Sequence, residues 1–205
     1  MPAPLTLADI SDVRAYERER ETYREHIIDL KTRRRVHVAT VLSFVFENRD
    51  TMRFQIQEMA RVEKLTTDDQ IQTELDVYNK LIPQDGRLCA TLFIECTSDE
   101  QLREWLPKLV GIERAVELRI GTGPSEVVVP CEPEADHAAQ LTRAEIASAV
   151  HYLFFDVGAL FESPNAAADA LKSGPTSLVV THLAYLEVAS LGNATREELA
   201  SDLLD

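Results

Sequence analysis

Short apolar segments with the alternation of β-strands recur along the chain, and they constrain its fold more than any other feature of the sequence. Tight turns separate some of these segments, whereas amphipathic helical patterns separate others. A strict alternation of strand and helix would predict a parallel sheet, but this irregular order is typical of an antiparallel or mixed one. We therefore predict an α+β protein with a mostly antiparallel or mixed β-sheet, helices packed on that sheet, and a long amphipathic N-terminal helix before it.

The strand and helix patterns can be assigned to separate stretches of the chain. Strands are predicted at 36–47, 88–95, 115–120, 126–129, 149–157, 176–181 and 185–190. Helices with capping signals or apolar stripes are predicted at 6–31, 67–82, 98–109, 163–174 and 195–204, and a capping box at 142–145 predicts the start of a further short helix. In the first helix Arg20 takes a position that the apolar stripe would otherwise fill.

A chain of 205 residues can bury one core of good size, and we find no internal repeat. We predict a single domain, 1–205. Within it we distinguish an N-terminal helix (1–35), the first part of the sheet (36–129), a candidate linker rich in proline and acidic residues (130–141), and a C-terminal part (142–205).

The segment 41–65 combines core-like and polar positions in one short stretch. Apolar residues alternate over 42–46 as in a half-buried strand, and a polar turn at 48–50 ends the pattern. Beyond the turn, residues 52–57 fit either a helix or the second strand of a hairpin. In a helix Glu63 would fall on the apolar face, so its carboxylate must be paired, metal-bound or protonated, or the helix must end first.

Charge and cysteine content narrow the classes of function. A net charge of −14 and a pI near 4.8 argue against nucleic-acid binding by bulk electrostatics. We interpret the basic run 31–35 as a solvated helix terminus, with an anion site as the alternative. No apolar run is long enough to span a membrane and no secretion signal begins the chain, so we expect a cytoplasmic protein without membrane contact.

Three cysteines without C-x-x-C spacing favour a reducing compartment over a disulfide framework.

Six blocks of the sequence are distinctive: 46–63, 74–83, 90–95, 109–113, 148–155 and 181–185. Together they resemble a bacterial family known as domain of unknown function 3501. The block 181–185 departs from the family pattern, which has Asp before the histidine and Pro after it, whereas this chain has Thr181 and Leu183. Genes of the family often lie beside those of rubrerythrin-like and iron–sulfur oxidoreductase proteins, so the resemblance implies a redox or oxidative-stress context.

The polar residues of the segment 41–65 are the candidate site. Glu58 and Glu63 are predicted carboxylate ligands, and His151 and His182 are the matching nitrogen donors for non-haem iron, manganese or zinc. The alternatives are a buried ion-pair network of Arg61 with one or both glutamates and, for His151, a neutral core histidine with one ring nitrogen bonded to a backbone carbonyl. Two further polar residues, Gln57 beside Glu58 and Tyr185 near His182, complete the set of candidates.

Three functions fit these observations. The first is an accessory or partner-binding protein of a cytoplasmic redox system, which would bind a rubrerythrin-like or iron–sulfur protein through the N-terminal helix or the acidic surface. The second is a small non-haem metal-binding protein or enzyme with a Glu/His site. The third is a small-molecule binder that uses the same polar pocket without metal. The sequence leaves open whether the chain is an enzyme and whether it forms a homodimer.

Overall fold

A computed structural model describes residues 3–135 and 146–204, and the structural statements below concern these residues. Eight strands form one antiparallel sheet. They are β1 (Arg35–Val38), β2 (Leu42–Glu47), β3 (Arg87–Ile94), β4 (Val116–Ile120), β5 (Val127–Pro133), β6 (Val150–Asp156), β7 (Thr176–His182) and β8 (Tyr185–Ser190). Their spatial order is β1-β2-β3-β6-β5-β4-β7-β8.

Helices pack on both faces of the sheet. Those within the described residues are α1 (Val13–Arg34), α2 (Arg49–Glu63), α3 (Asp68–Tyr78), α4 (Asp99–Lys108), α5 (Pro164–Ser173) and α6 (Asn193–Asp202). The inner face of the sheet and helices α4, α5 and α6 enclose the main core. A smaller core lies on the outer face, where Met52 and Ile56 of α2 and Leu75 of α3 pack near Cys89 of β3. The predicted α+β class with a long N-terminal helix is confirmed.

The sheet nearly closes into a barrel, because its end strands β1 and β8 contact each other. The Tyr185 hydroxyl donates to the carbonyl of Val38 at 2.8 Å and accepts from the amides of Thr40 at 3.1 Å and Val41 at 3.2 Å. Trp105 packs edge-on against the Tyr185 ring at 5.5 Å. A side chain therefore joins two strand ends that share no ladder of backbone hydrogen bonds.

Helix α1 begins at Val13, later than the predicted start near Thr6. The Asp12 side chain accepts from the amides of Arg14 and Ala15 and so caps the helix there. Residues 3–12 instead form a separate N-terminal arm with a short 3₁₀ turn of its own. This arm lies against α2 and α3.

The segment 52–57 is helical, so the hairpin alternative is wrong. Asn48 caps α2 by accepting from the amide of Thr51, and the Thr51 hydroxyl accepts in return from the Asn48 amide. Lys64, in the left-handed conformation with φ of 55°, ends the helix directly after Glu63. Glu63 is exposed, so the helix ends before its carboxylate would have to be buried.

The first part of the predicted linker 130–141 belongs to the sheet. Strand β5 pairs with β4 on one side and with β6 on the other, and it extends to Pro133. Val129 and Cys131 alternate into the main core, which holds this proline-containing stretch in a strand. Residues 136–141, and the helix start predicted at 142–145, lie outside the described residues.

Arg34 at the end of α1 is completely buried, so the interpretation of the basic run 31–35 as a solvated terminus is wrong at this residue. Its Nε donates to the Phe46 carbonyl at 2.8 Å, and one Nη donates to the Glu47 carbonyl at 3.3 Å. The guanidinium also forms ion pairs with Glu198 at 3.0 Å and with Asp202. Arg34 thereby joins α1, β2 and α6.

Across residues 3–135 and 146–204, no helix has both the length and the apolar character that a membrane span requires.

Candidate functional site

Glu58 lies where α2 packs against α1, and donors from both helices surround its carboxylate. Its Oε1 accepts from the Tyr16 hydroxyl at 2.7 Å and from Arg20 Nε at 2.7 Å. Its Oε2 accepts from Arg20 Nη2 at 2.9 Å and from Arg61 Nη2 at 3.1 Å. Arg20 thus holds the carboxylate with two parallel bonds, the geometry that favours a strong Arg–carboxylate pair.

This environment keeps Glu58 ionised. The hydrogen bond from Arg20, helped by those from Tyr16 and Arg61, lowers the pKa of Glu58 from 4.5 to about 2 against the opposing effect of burial. Burial, followed by the Glu58 hydrogen bond, raises the pKa of Tyr16. Both carboxylate oxygens already face cationic or hydroxyl donors. Glu58 is consequently a poor general base and a poor metal ligand, and it acts as a clasp between α1 and α2.

Replacing Glu58 with glutamine should weaken this clasp by about 1.5–3 kcal/mol at pH 7, the range for hydrogen bonds to charged groups. Because the fold stabilises the ionised form, the contribution is present above the unfolded pKa of 4.5 and is lost as pH falls towards about 2. Urea unfolding at pH 7 and pH 3 should therefore show a smaller difference between variant and parent at the lower pH. Glu63→Gln, an exposed change on the same helix, is the control, and an equal loss in both variants would contradict the clasp.

Glu63 stands apart from this cluster. It is the exposed last residue of α2, and its charge adds to the effect of burial in raising the pKa of Glu74 on α3. Arg61 pairs with Glu58 and approaches Glu17 of α1 at 3.9 Å. The predicted network of Arg61 with one or both glutamates is therefore present with one of them, Glu58, and does not include Glu63.

Gln57 holds the N-terminal arm. Its side chain is buried; Oε1 accepts from the amide of Ser11 at 2.7 Å, and Nε2 donates to the Ser11 carbonyl at 3.1 Å. Asn79 pairs with the Leu5 backbone in the same way. Its Oδ1 accepts from the Leu5 amide at 2.8 Å, and its Nδ2 donates to the Leu5 carbonyl at 2.9 Å. Two amide side chains thus pair with the backbone of the arm at both ends, as a neighbouring strand would.

Two arginines of α2 strengthen this attachment. Arg49 pairs with the Asp9 carboxylate at 2.7 Å and also donates to the carbonyl of Ala3 at 2.9 Å. Arg53 donates to the carbonyl of Asp9 at 2.7 Å. The hydrogen bond from Arg49 lowers the pKa of Asp9 to about 2. The N-terminal arm is therefore fastened to α2 along most of its length.

His151 and His182 do not form a shared ligand set with Glu58 and Glu63. His151 is fully buried, faces the main core with Leu153 and Phe155, and donates from Nε2 to the Ser148 carbonyl at 2.8 Å. Glu58 lies across the sheet from it, because α2 covers the outer face.

His182 ends β7, where Nε2 donates to the carbonyl of Val110 at 3.1 Å and Nδ1 accepts from the amide of Ala184 at 3.3 Å. Tyr185, its predicted neighbour in the site, uses its hydroxyl at the seam between β1 and β8.

The predicted metal ligands are thus separated. Glu58 is in the clasp, Glu63 is exposed at a helix end, and each histidine is held by a backbone carbonyl. Among the residues that the structure describes, no three His, Cys, Asp or Glu side chains are grouped so that they could hold a metal ion. The spacing of polar residues in the sequence identified exceptions to the core pattern but not their neighbours in space.

Sequence reasoning missed a buried carboxylate at Glu47, which is 2% exposed on the outer face of β2. Its Oε1 accepts from the Thr91 hydroxyl at 2.6 Å, and it lies opposite Cys89 in the β2–β3 ladder. Burial, with a further contribution from the Glu47 charge, raises the pKa of Cys89 well above its usual range. The Cys89 thiol therefore stays protonated near neutral pH, which argues against a nucleophilic role.

Sequence reasoning also missed an exposed apolar surface. We call Leu183, Leu186 and Val188 the hairpin patch; they are 94%, 67% and 62% exposed on the β7–β8 hairpin. The signal was present in the sequence, since β8 places apolar residues on both of its faces although one face meets solvent.

These features define the class of protein: an α+β domain on a nearly closed antiparallel sheet, whose predicted site residues mainly make structural contacts. The chain belongs to the family described as protein of unknown function (DUF3501), whose sequence model matches residues 4–203. It is similar to the crystal structure of a novel protein of unknown function from Burkholderia pseudomallei K96243, with 34% identity and a TM-score of 0.86 over 98% of this chain and 99% of that one. Among curated proteins there is no significant match.

Proposed function

We propose that this protein is an accessory protein that binds a protein partner of a redox system through the hairpin patch. The observation that carries the proposal is the exposure of three large apolar side chains on one hairpin: Leu183 at 94% in the turn, and Leu186 and Val188 on the same face of β8. Exposed apolar patches mark interaction sites on soluble proteins. A structural role would instead place such side chains against another element of the chain.

The surroundings of the patch fit an interface. Val188 is opposite Val179 of β7, and Val179 is opposite Glu117 of β4, so these side chains form a row across the outer face. Glu117 pairs with Arg119 at 2.7 Å, and Arg119 lies 3.8 Å from Glu126. An apolar centre beside a charged rim is the usual anatomy of a protein–protein interface.

The nature of the partner follows from the family resemblance. Because the resemblance implies genes for rubrerythrin-like and iron–sulfur proteins nearby, the proposed partner is one of these proteins in the cytoplasm. The engagement of Glu58, His151 and His182 in structural contacts supports an accessory role over catalysis at those residues.

The proposal is tested with the variant Val188→Lys. Its binding to the rubrerythrin-like or iron–sulfur protein is measured by calorimetric titration. We expect binding to weaken at least tenfold, because a charge would enter the apolar centre of the interface. Val62→Lys is a matched control, since Val62 on α2 is also 62% exposed but lies outside the hairpin patch. Thermal unfolding of both variants shows that the fold is retained.

Two outcomes would overturn the proposal. One is partner binding that Val188→Lys and Val62→Lys leave equally unchanged. The other is a dimer of this chain, detected by light scattering, that Val188→Lys dissociates, because the hairpin patch would then serve self-association.

A further inference from the structure

We infer that a cleft beneath the N-terminal arm binds a small organic carboxylate with an apolar chain. The cleft has a volume of about 330 Å³ and lies between the arm, the start of α1 and the facing ends of α2 and α3. Most of its wall is apolar. The apolar lining residues are Leu7, Ile10, Val13, Ala60, Leu65 and Ile71. This site is separate from the hairpin patch and does not depend on it.

Apart from Arg14, most polar groups of the wall are already hydrogen-bonded, so the cleft offers few sites for ordered water. The Ser11 backbone is paired with Gln57, and the Ser11 hydroxyl donates to Glu19 at 3.1 Å. The Asp12 carboxylate accepts two amides of α1 at 2.9 and 3.0 Å. The volume is many times the ~10–15 Å³ that one water needs, yet a bound water needs two to four polar partners. An apolar group gains more from this space than water does.

Arg14 supplies the polar end of the site. It lines the cleft, its side chain is exposed, and no described residue forms an ion pair or a side-chain hydrogen bond with its guanidinium. Arg20, one and a half turns further along α1, is instead held by Glu58. A planar guanidinium matches a carboxylate with two parallel hydrogen bonds. The combination of apolar walls with the Arg14 guanidinium at the edge favours an amphiphilic anion.

The size of the cleft limits the ligand. A volume of about 330 Å³ is at the lower end of the range for small-molecule pockets, which favours a compact chain over a long lipid. Leu7 and Ile10 belong to the arm, so a bound chain would contact both the arm and α2 or α3. Ligand binding should therefore reduce the opening of the arm, whose attachment at Ser11 depends on Gln57.

The test is calorimetric titration of the full chain with hexanoate, octanoate, 1-octanol and octylammonium, each below its micelle concentration. Octanoate should bind in a saturable manner and more tightly than the alcohol or the amine. Each methylene that enters the cleft should tighten binding about fourfold, so octanoate should exceed hexanoate by roughly fifteenfold.

Two variants assign the binding to the cleft. Arg14→Gln should weaken the binding of octanoate about tenfold and leave the binding of 1-octanol unchanged. Arg18→Gln, an exposed change on the same helix outside the cleft lining, should alter the binding of neither compound. Ala60→Phe should fill the space and abolish binding of both compounds. Hydrogen exchange of the Ser11 amide should slow when octanoate is present.

Absence of saturable binding by any of these probes would overturn the inference. Binding that neither Arg14→Gln nor Ala60→Phe affects would do the same, because the ligand would then lie elsewhere. Equal affinity for octanoate and 1-octanol would refute the assignment of an acidic ligand to Arg14. If Ala60→Phe fails to fold, the comparison of Arg14→Gln with Arg18→Gln still decides the outcome, since both positions are exposed.

Discussion

Replacement of Arg34 with methionine is expected to lower the free energy of unfolding by about 3–5 kcal/mol, the cost of breaking a buried ion pair from one side. Arg34 is 0% exposed and donates to the carbonyls of Phe46 and Glu47 while pairing with Glu198 and Asp202. Methionine fills much of the same volume but donates no hydrogen bond. The two carbonyls and both carboxylates would therefore lose the cation that joins them.

Urea unfolding followed by circular dichroism measures this loss. Arg33→Met is the control, because Arg33 pairs with the same Glu198 at 2.8 Å but its side chain is 37% exposed. Exposed ion pairs are worth about 0–1 kcal/mol, so the control should change stability little. Similar losses in the two variants would show that α6 is attached to α1 by other contacts.

A second large effect is expected at the seam of the sheet. Tyr185→Phe should destabilise the protein by about 1–3 kcal/mol, because three backbone groups, two of them in buried residues, lose one shared partner. These groups are the carbonyl of Val38 and the amides of Thr40 and Val41. Hydrogen exchange should become faster at the Thr40 and Val41 amides, and amides in the middle of the sheet should change far less.

Tyr23→Phe provides a control of the same chemistry. The Tyr23 hydroxyl makes a long 3.4 Å bond to the carbonyl of Asp50 at an exposed position. Removing it should change stability by no more than about 0.5 kcal/mol. Unchanged exchange at Thr40 and Val41 in Tyr185→Phe would mean that the seam stays closed without the hydroxyl.

The fold class was predictable because each strand carries its own pattern. Alternation over β4 and β6 and the capping residue of α3 are local signals that survive in the structure. The near-closure of the sheet was not predictable. It depends on contact between β1 and β8, which are about 150 residues apart, and no local pattern encodes which strand ends will meet.

The candidate site was likewise predictable only in part. Glu58 was recognised as a polar exception, and Arg20 was recognised as an interruption of an apolar stripe. Each is the other's partner, at 2.7 Å, but the sequence offers no measure of that distance. His151 was considered both as a ligand and as a core histidine bonded to a backbone carbonyl, and the structure shows the second. The sequence did not identify Ser148 as the residue that supplies the carbonyl. Spacing along the chain finds unusual residues, and packing decides their roles.

The meeting of the first and last strands has a consequence for how the protein is made. Tyr185 and the carboxylates of Glu198 and Asp202 belong to the end of the chain, yet they bind Val38 and Arg34 near its beginning. During synthesis, α1 and β1 leave the ribosome long before these partners exist. Such long-range contacts form slowly, and domains of this size pass through partly folded states. The completed fold must therefore wait for the C-terminal helix, and Arg34 stays without its acidic partners until that helix is synthesised.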